Sequence, residues 1–211
     1  NMKIFLTGGS GGIGKTIKKT LETNQITVIS PSSKTLDLNY DLNVNNYPLL
    51  DGFIHCAGIN NINTYNKLTP EDIFNSYKIN TTSFIELCSK LKIKNKSNII
   101  AIGSLYATQT KQGRTPYTMS KHALLGAVKT LAIEMSSKQI KVNMVSPGFV
   151  DTPLTRKNNL RNRINYLEAS IPLGLTSPQS IADVCNFLIT QNQAITGQNL
   201  IVDGGYSLIG I

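Results

Sequence analysis

Cysteine is scarce in this sequence, long apolar runs are absent, and there is no repeat or low-complexity stretch. Each shortage removes a class of protein. Cys56, Cys88 and Cys185 form an odd set without metal-ligand spacing, which argues against a disulfide framework or a metal site. A reducing, cytoplasmic setting fits them. The only early apolar run covers residues 4–6, too short for a signal peptide or a membrane span, and Asn1 ahead of Met2 reads as an added residue. No membrane association is expected. Lysine and arginine outnumber acidic residues 21 to 12, for a formal net charge of +9. The lysines are nevertheless scattered, with no arginine-rich stripe or aromatic interleaving, so nucleic acid is not expected as a partner. What is there is a chain of 211 residues, 40% hydrophobic and 16% charged, which predicts one compact domain over 1–211 with a full core.

The order of elements is α/β. Lys3-Ile4-Phe5-Leu6 reads as a strand, and it runs into Thr7-Gly8-Gly9-Ser10-Gly11-Gly12-Ile13-Gly14 before a helix over 15–22. A strand, a glycine turn and a helix start place backbone N–H groups where a pyrophosphate can sit, and glycines allow its close approach. This predicts a dinucleotide site. A second strand over 26–29 ends in Ser30-Pro31-Ser32-Ser33-Lys34, without the acid that would hold adenosine ribose hydroxyls. Two hydroxyls and a lysine there favour NADP(H) over NAD(H). The stretch from residue 30 to 36 is too short for a crossover helix. The helix between strands 2 and 3 is therefore expected to be missing, any third strand at 36–39 to be short or displaced, and Asp37 either to approach the adenine or to cap a turn.

Asp51-Gly52-Phe53-Ile54-His55-Cys56 reads as a buried strand closed by Ala57-Gly58, small enough to let the backbone pass a ribose. His55 ends an apolar strand without a cysteine or carboxylate partner and is expected to be structural. Thr69-Pro70-Glu71-Asp72 supplies a helix N-cap, a first-turn proline and first-turn acids. The helix after it shows an apolar stripe of Ile73, Tyr77, Phe84, Leu87, Cys88 and Leu91, with Asn80 among them and so turned inward.

Ser104 follows a strand over 98–102, at the carboxyl end where open α/β sheets place ligands. A helix predicted from Tyr117 to about 136 puts Lys121 one turn on and on the same face, so that an ammonium would favour the Tyr117 phenolate. A strand over 142–145 then turns through Pro147, Gly148, Phe149, Val150, Asp151 and Thr152 into a loop fit to frame a nicotinamide. Residues 151–170 read as a small substrate lid, whose Arg156, Lys157, Arg161 and Arg163 point to an anionic substrate, small or carrier-bound, or to a solvated face. A helix over 181–189 and a strand over 199–202 close the chain.

Taken together, the motifs resemble the short-chain dehydrogenase/reductase family, and within it the compact 3-oxoacyl-[acyl-carrier-protein] reductases. TGGSGGIG is similar to the family's cofactor loop, in which Gly8, Ser10, Gly12, Ile13 and Gly14 would hold the dinucleotide, and Asn80, Ser104, Tyr117 and Lys121 match its catalytic set. Pro147-Gly148 with Thr152 and the ending Val202-Asp203-Gly204-Gly205 match as well. The resemblance implies one Rossmann-type doubly wound parallel sheet of six to seven strands with helices on both faces. It also implies hydride transfer between NAD(P) and a carbonyl or secondary alcohol without a metal, and a homodimer or homotetramer. Tyr117 would move the proton, Ser104 would polarise the substrate oxygen, Lys121 would hold the nicotinamide ribose and Asn80 a relay water. The family's Asn-Asn-Ala-Gly reads His55-Cys56-Ala57-Gly58 here, and Gly11 stands where many NADP-dependent members carry arginine. A keto-sugar or small-ketone reductase, and a non-catalytic cofactor-sensing regulator, stand as alternatives.

Overall fold

A computed structural model describes residues 1–157 and 159–209. Six parallel strands form one sheet: β1 (Lys3–Thr7), β2 (Thr27–Ile29), β3 (Leu50–His55), β4 (Ile93–Ile102), β5 (Lys141–Pro147) and β6 (Asn199–Val202). Their spatial order is β2-β1-β3-β4-β5-β6, so the direction of winding reverses between β1 and β3, where a crevice opens at the strands' carboxyl ends.

Alternation along each strand divides the core in two. Ile4, Leu6, Ile54, Ile100 and Val145 face one layer, with α1 (Gly12–Thr23) and α7 (Pro178–Thr190) packed on it through Ile17, Leu21, Ile181, Cys185 and Leu188. Phe5, Phe53, Ile99, Val142 and Met144 face the other layer. It is covered by α3 (Ser83–Lys90) through Phe84 and Leu87, and by α4 (Thr115–Glu134) through Leu124 and Val128. The elements match the α/β reading.

The six-stranded sheet and the missing crossover helix agree with the sequence reading, while two helical expectations are corrected. No strand forms at 36–39, so β2 is the sheet edge and the sheet has six strands. The segment 30–49 carries no helix or strand among the described residues and instead lays Leu36, Leu42 and Val44 into the core beside Phe5. Apolar side chains thus seal the layer that a crossover helix would have covered. The stripe on the helix after Thr69 is not continuous. α2 (Pro70–Tyr77), begun by a Thr69/Asp72 capping box, and α3 are joined by a π segment, Lys78–Thr82. One π turn inserts a residue and rotates the helix beyond it, so Ile73 and Tyr77 stay 36% and 39% exposed while Phe84 and Leu87 are buried. Finally, α4 opens at Thr115, two residues before Tyr117, because Pro116 fits the helix's first turn. The lid is two helices, α5 (Pro153–Lys157) and α6 (Arg161–Ser170).

Candidate active site

Two adjoining cavities of about 320 and 350 Å³ occupy the crevice and share Gly8, Gly11, Cys56, Gly58 and Ile59 as a common wall. The glycine turn needs its glycines. Gly8 has φ +71°, and a Cβ there would lie 2.6 Å from the Ala57 nitrogen. The start of α1 has no side-chain cap, which leaves first-turn N–H groups for a ligand anion. Gly12, Ile13 and Gly14 line the first cavity and Ser10 the second. These uncapped donors and the bare backbone around them fit a pyrophosphate.

The first cavity continues past Ser104, Tyr117 and Lys121 to Pro147, Gly148, Val150 and Thr152. Ser104 stands two residues past the end of β4, where it caps a short 3₁₀ turn; its Oγ accepts from the Tyr106 N–H at 3.2 Å and lies close enough to the Tyr117 phenol to pull against its upward shift. Lys121 is 3% exposed; its Nζ donates to the Ile102 carbonyl at 2.8 Å and lies 5.6 Å from the Tyr117 ring centroid. Burial lowers the Lys121 ammonium to about 8. Burial likewise raises the Tyr117 phenol above its ordinary range, against the pull of the Ser104 hydrogen bond. The expected phenolate is thus not favoured: Lys121 sits over the ring, and the phenol stays protonated.

Asn80 lies behind this wall, fully buried in the π segment. Its Nδ2 donates to the Ile59 carbonyl and to Ser120 Oγ, both at 2.9 Å, while Oδ1 accepts from the Ile59 N–H at 2.8 Å. Both amide hydrogens are used, so the side chain fixes the loop after β3 against α4. A Cβ on Gly58 would stand 3.2 Å from Asn80 Oδ1 and 3.7 Å from Lys121 Nζ, so a small residue is needed where the chain passes between them.

His55 is structural, as its setting predicts. Nε2 lies 3.1 Å from the Ile79 carbonyl, which only accepts, so Nε2 carries the hydrogen and Nδ1 accepts from Thr7 Oγ1 at 2.9 Å. Thr7 Oγ1 in turn accepts from the Cys56 and Ala57 N–H groups at 3.2 and 3.3 Å. Burial first, and the Lys121 charge second, lower His55 to about 3. The neutral ring links β1, β3 and the π segment. Cys56 borders both cavities as a neutral thiol, pushed up to about 12 by burial.

In the second cavity Ser32, Ser33, Asp37 and Ala57 are all on the wall, together with Leu36 and Leu38. Lys34 lines neither cavity and is exposed. Asp37 Oδ1 accepts from the Asn39 N–H at 2.9 Å, so it both closes a turn and borders the cavity. On the lid, Arg156 is taken up by Asp151 at 2.6 Å and Glu168 at 3.4 Å. Sequence reasoning passed over Tyr106 and Arg114, which line the first cavity, and the bond that Thr7 makes. Thr7 pairs directly with His55 in the β1/β3 register, which only the fold reveals.

Residues 37–207 match the family model described as enoyl-(acyl carrier protein) reductase. The chain is 31% identical to carbonyl reductase family member 4 of Xenopus laevis, over 95% of this chain and 96% of that protein. It is 32% identical to a 3-oxoacyl-[acyl-carrier-protein] reductase of Buchnera aphidicola, over 97% of each. The chain belongs to the short-chain dehydrogenase/reductase family. A solved member of that family from Francisella tularensis superposes with a TM-score of 0.87 at 29% identity, covering 99% of this chain and 100% of that one. A 4-hydroxyisoleucine dehydrogenase solved with NADH shares the fold, with a TM-score of 0.84 at 24% identity over 99% of each chain. As a family member this chain is an NAD(P)-dependent oxidoreductase of the CH–OH/C=O class. No helix among the described residues is long and apolar enough to cross a membrane.

Proposed function

We propose that the protein reduces a 3-oxo or related anionic ketone to the secondary alcohol. The observation that carries this reading is that Ser104, Tyr117 and Lys121 share one cavity wall, with the Lys121 ammonium 5.6 Å from the Tyr117 ring centroid. A nicotinamide held there would supply the hydride. Tyr117, a phenol that is protonated at neutral pH and is held so by burial, donates the proton to the carbonyl oxygen. Ser104 donates a hydrogen bond to the same oxygen as negative charge develops there. Lys121, anchored on the Ile102 carbonyl beside the Tyr117 ring, would hold the nicotinamide ribose. Asn80 is a positioning residue that holds Ile59 and, through Ser120, the first turns of α4.

The dinucleotide would lie along both cavities, on Gly8, Ser10, Gly12, Ile13, Gly14, Ala57, Gly58, Pro147, Gly148, Val150 and Thr152. Ser32 and Ser33 leave room to bond a 2′-phosphate, but with Lys34 outside the cavity and the Asp37 carboxylate on its wall, the charge balance moves from NADP(H) towards NAD(H). Phe74, Tyr77 and Ile133, 63%, 39% and 76% exposed on α2 and α4, support a homodimer or homotetramer, which light scattering would read. Three free cysteines support a reducing, cytoplasmic setting.

The test uses cofactor fluorescence, which is unmasked because the chain has no tryptophan. NADH and NADPH are titrated for binding, then oxidised against acyl-thioester, keto-acid and sugar ketones. Binding with turnover of at least one ketone is expected. Binding without turnover across the panel would leave the regulator reading in its place.

A further inference from the structure

Beyond Tyr117 the first cavity ends in aromatic and cationic side chains that the proton-transfer reading does not use. Tyr106 packs edge-on against Tyr117 with centroids 6.0 Å apart, and Phe149 forms the facing wall. Around them three cations converge. Arg114, the residue before α4, lines the cavity, and its Nη1 donates to the neutral Asn60 Oδ1 at 2.8 Å. Lys111 Nζ lies 5.7 Å from the Phe149 ring centroid. Arg163 comes from the lid, its guanidinium 5.1 Å from the Tyr166 ring, within electrostatic reach of Lys111 and Tyr106.

No carboxylate forms an ion pair with any of the three among the described residues. The lid's own acids, Asp151 and Glu168, are held by Arg156. Burial, then Arg163 and Arg114, hold the Lys111 ammonium below its ordinary range, as expected where positive charge gathers without an internal partner. Such a cluster repels itself unless an anion joins it. The location decides what kind of anion. Arg114 lines the cavity beside Tyr106 and Phe149, and the exposed Lys111 stands over the Phe149 ring at its mouth, so a charged group next to the ketone would meet them, whereas a thioester at that point would offer them no charge.

We propose that Lys111, Arg114 and Arg163 form an anion-binding subsite beside Tyr117, and that the substrate is a small ketone carrying its own carboxylate or phosphate, not a carrier-bound thioester. The inference rests on the ketone-reductase reading. It differs from the reading of the lid in the sequence by taking one lid cation, Arg163, and two residues ahead of α4.

The test compares charged and neutral partners of one ketone: acetoacetate with its methyl ester, and hydroxyacetone phosphate with hydroxyacetone, alongside the neutral acetoacetyl thioester of N-acetylcysteamine. In the wild type kcat/KM is expected to favour the anion by about tenfold or more, which corresponds to about 1.4 kcal/mol. The favoured pair identifies carboxylate or phosphate as the source. Lys111→Gln and Arg163→Gln should each reduce that preference about tenfold, mainly through KM, a tenfold again being about 1.4 kcal/mol. Preference for the ester or the thioester overturns the subsite while leaving the reductase reading intact. If no probe is turned over, calorimetric titration of 3-hydroxybutyrate and of inorganic phosphate into the NADH-loaded protein decides. Binding of either probe that weakens at least about tenfold in the double variant supports the subsite. No binding of either, or binding indifferent to the substitutions, overturns it.

Discussion

The two halves of the crevice are built differently. On the Tyr117 side each side chain is tied to a regular element by named bonds: Ser104 capping the 3₁₀ turn that follows β4, Lys121 on α4 against Ile102, Asn80 in the π segment with three hydrogen bonds. On the side lined by Ser32 and Asp37 the wall is the segment 30–49, which has no regular element and is held by local turns and by Leu36, Leu42 and Val44. Proton transfer requires donor and acceptor in a narrow range of distance and angle, so its residues need rigid supports. Binding one end of a dinucleotide needs only a surface. The chain can therefore do without a strand and a helix on that side as long as apolar side chains still close the core.

The sharpest way to break this comparison is to remove the two hydroxyls in turn. Tyr117→Phe should lower kcat by roughly 10²- to 10⁴-fold, the usual worth of a positioned acid, with NADH affinity retained. Ser104→Ala should cost less. Because both hydroxyls act on one oxygen, the double variant should be scarcely slower than Tyr117→Phe alone. Additive losses would mean that the pair does not work as a unit.

On the other side the comparison predicts a loss of stability. Leu42 is 2% exposed although it lies in an irregular segment. Leu42→Ala should cost about 2–5 kcal/mol by cavity formation, read from the denaturant midpoint. An effect within about 0.5 kcal/mol, the range of exposed positions, would show that the segment is only draped over the core.

His55 joins the halves, and its prediction concerns pH. The folded ring stays neutral down to about 3, whereas the unfolded one takes a proton near 6.5. Between those values the unfolded state binds more protons, so this contribution to stability falls as pH falls from 6.5 towards 3. Melting of wild type and His55→Gln should diverge accordingly, the wild type losing more on acidification. A pH-independent difference would sink the assignment of a neutral, buried ring.

Legibility in the sequence divides along the same line. The glycine turn, the strand-end Ser104 and the Tyr117/Lys121 pair were legible because strand order and helical spacing place them without knowledge of packing. The inward turn of Asn80 was legible too, but the π segment was not, since the stripe from Ile73 to Leu91 looks continuous until one inserted residue rotates its second half. The Thr7–His55 bond and the approach of Lys111, Arg114 and Arg163 to Tyr106 join residues far apart in the chain or on irregular segments, which no periodicity marks. The phenolate expected from Lys121 failed because helical spacing gives adjacency, whereas the pKa depends on burial.

The smallest expected effect tests the irregular half. Its sequence offered Ser32, Ser33 and Lys34 as a phosphate site, but the fold leaves Lys34 exposed and puts Asp37 on the cavity wall. A 2′-phosphate there would meet a carboxylate and two hydroxyls without a cation. NADH should therefore bind at least as tightly as NADPH, and Lys34→Gln should change either affinity by less than about twofold, as for an exposed charge without a fixed partner. Asp37→Asn should strengthen NADPH binding several-fold, because it removes the repulsion and keeps the turn's acceptor for the Asn39 N–H. If Lys34→Gln instead weakens NADPH about tenfold and spares NADH, the segment 30–49 closes over the phosphate on binding, and the looser half of the crevice becomes the one that reads the cofactor.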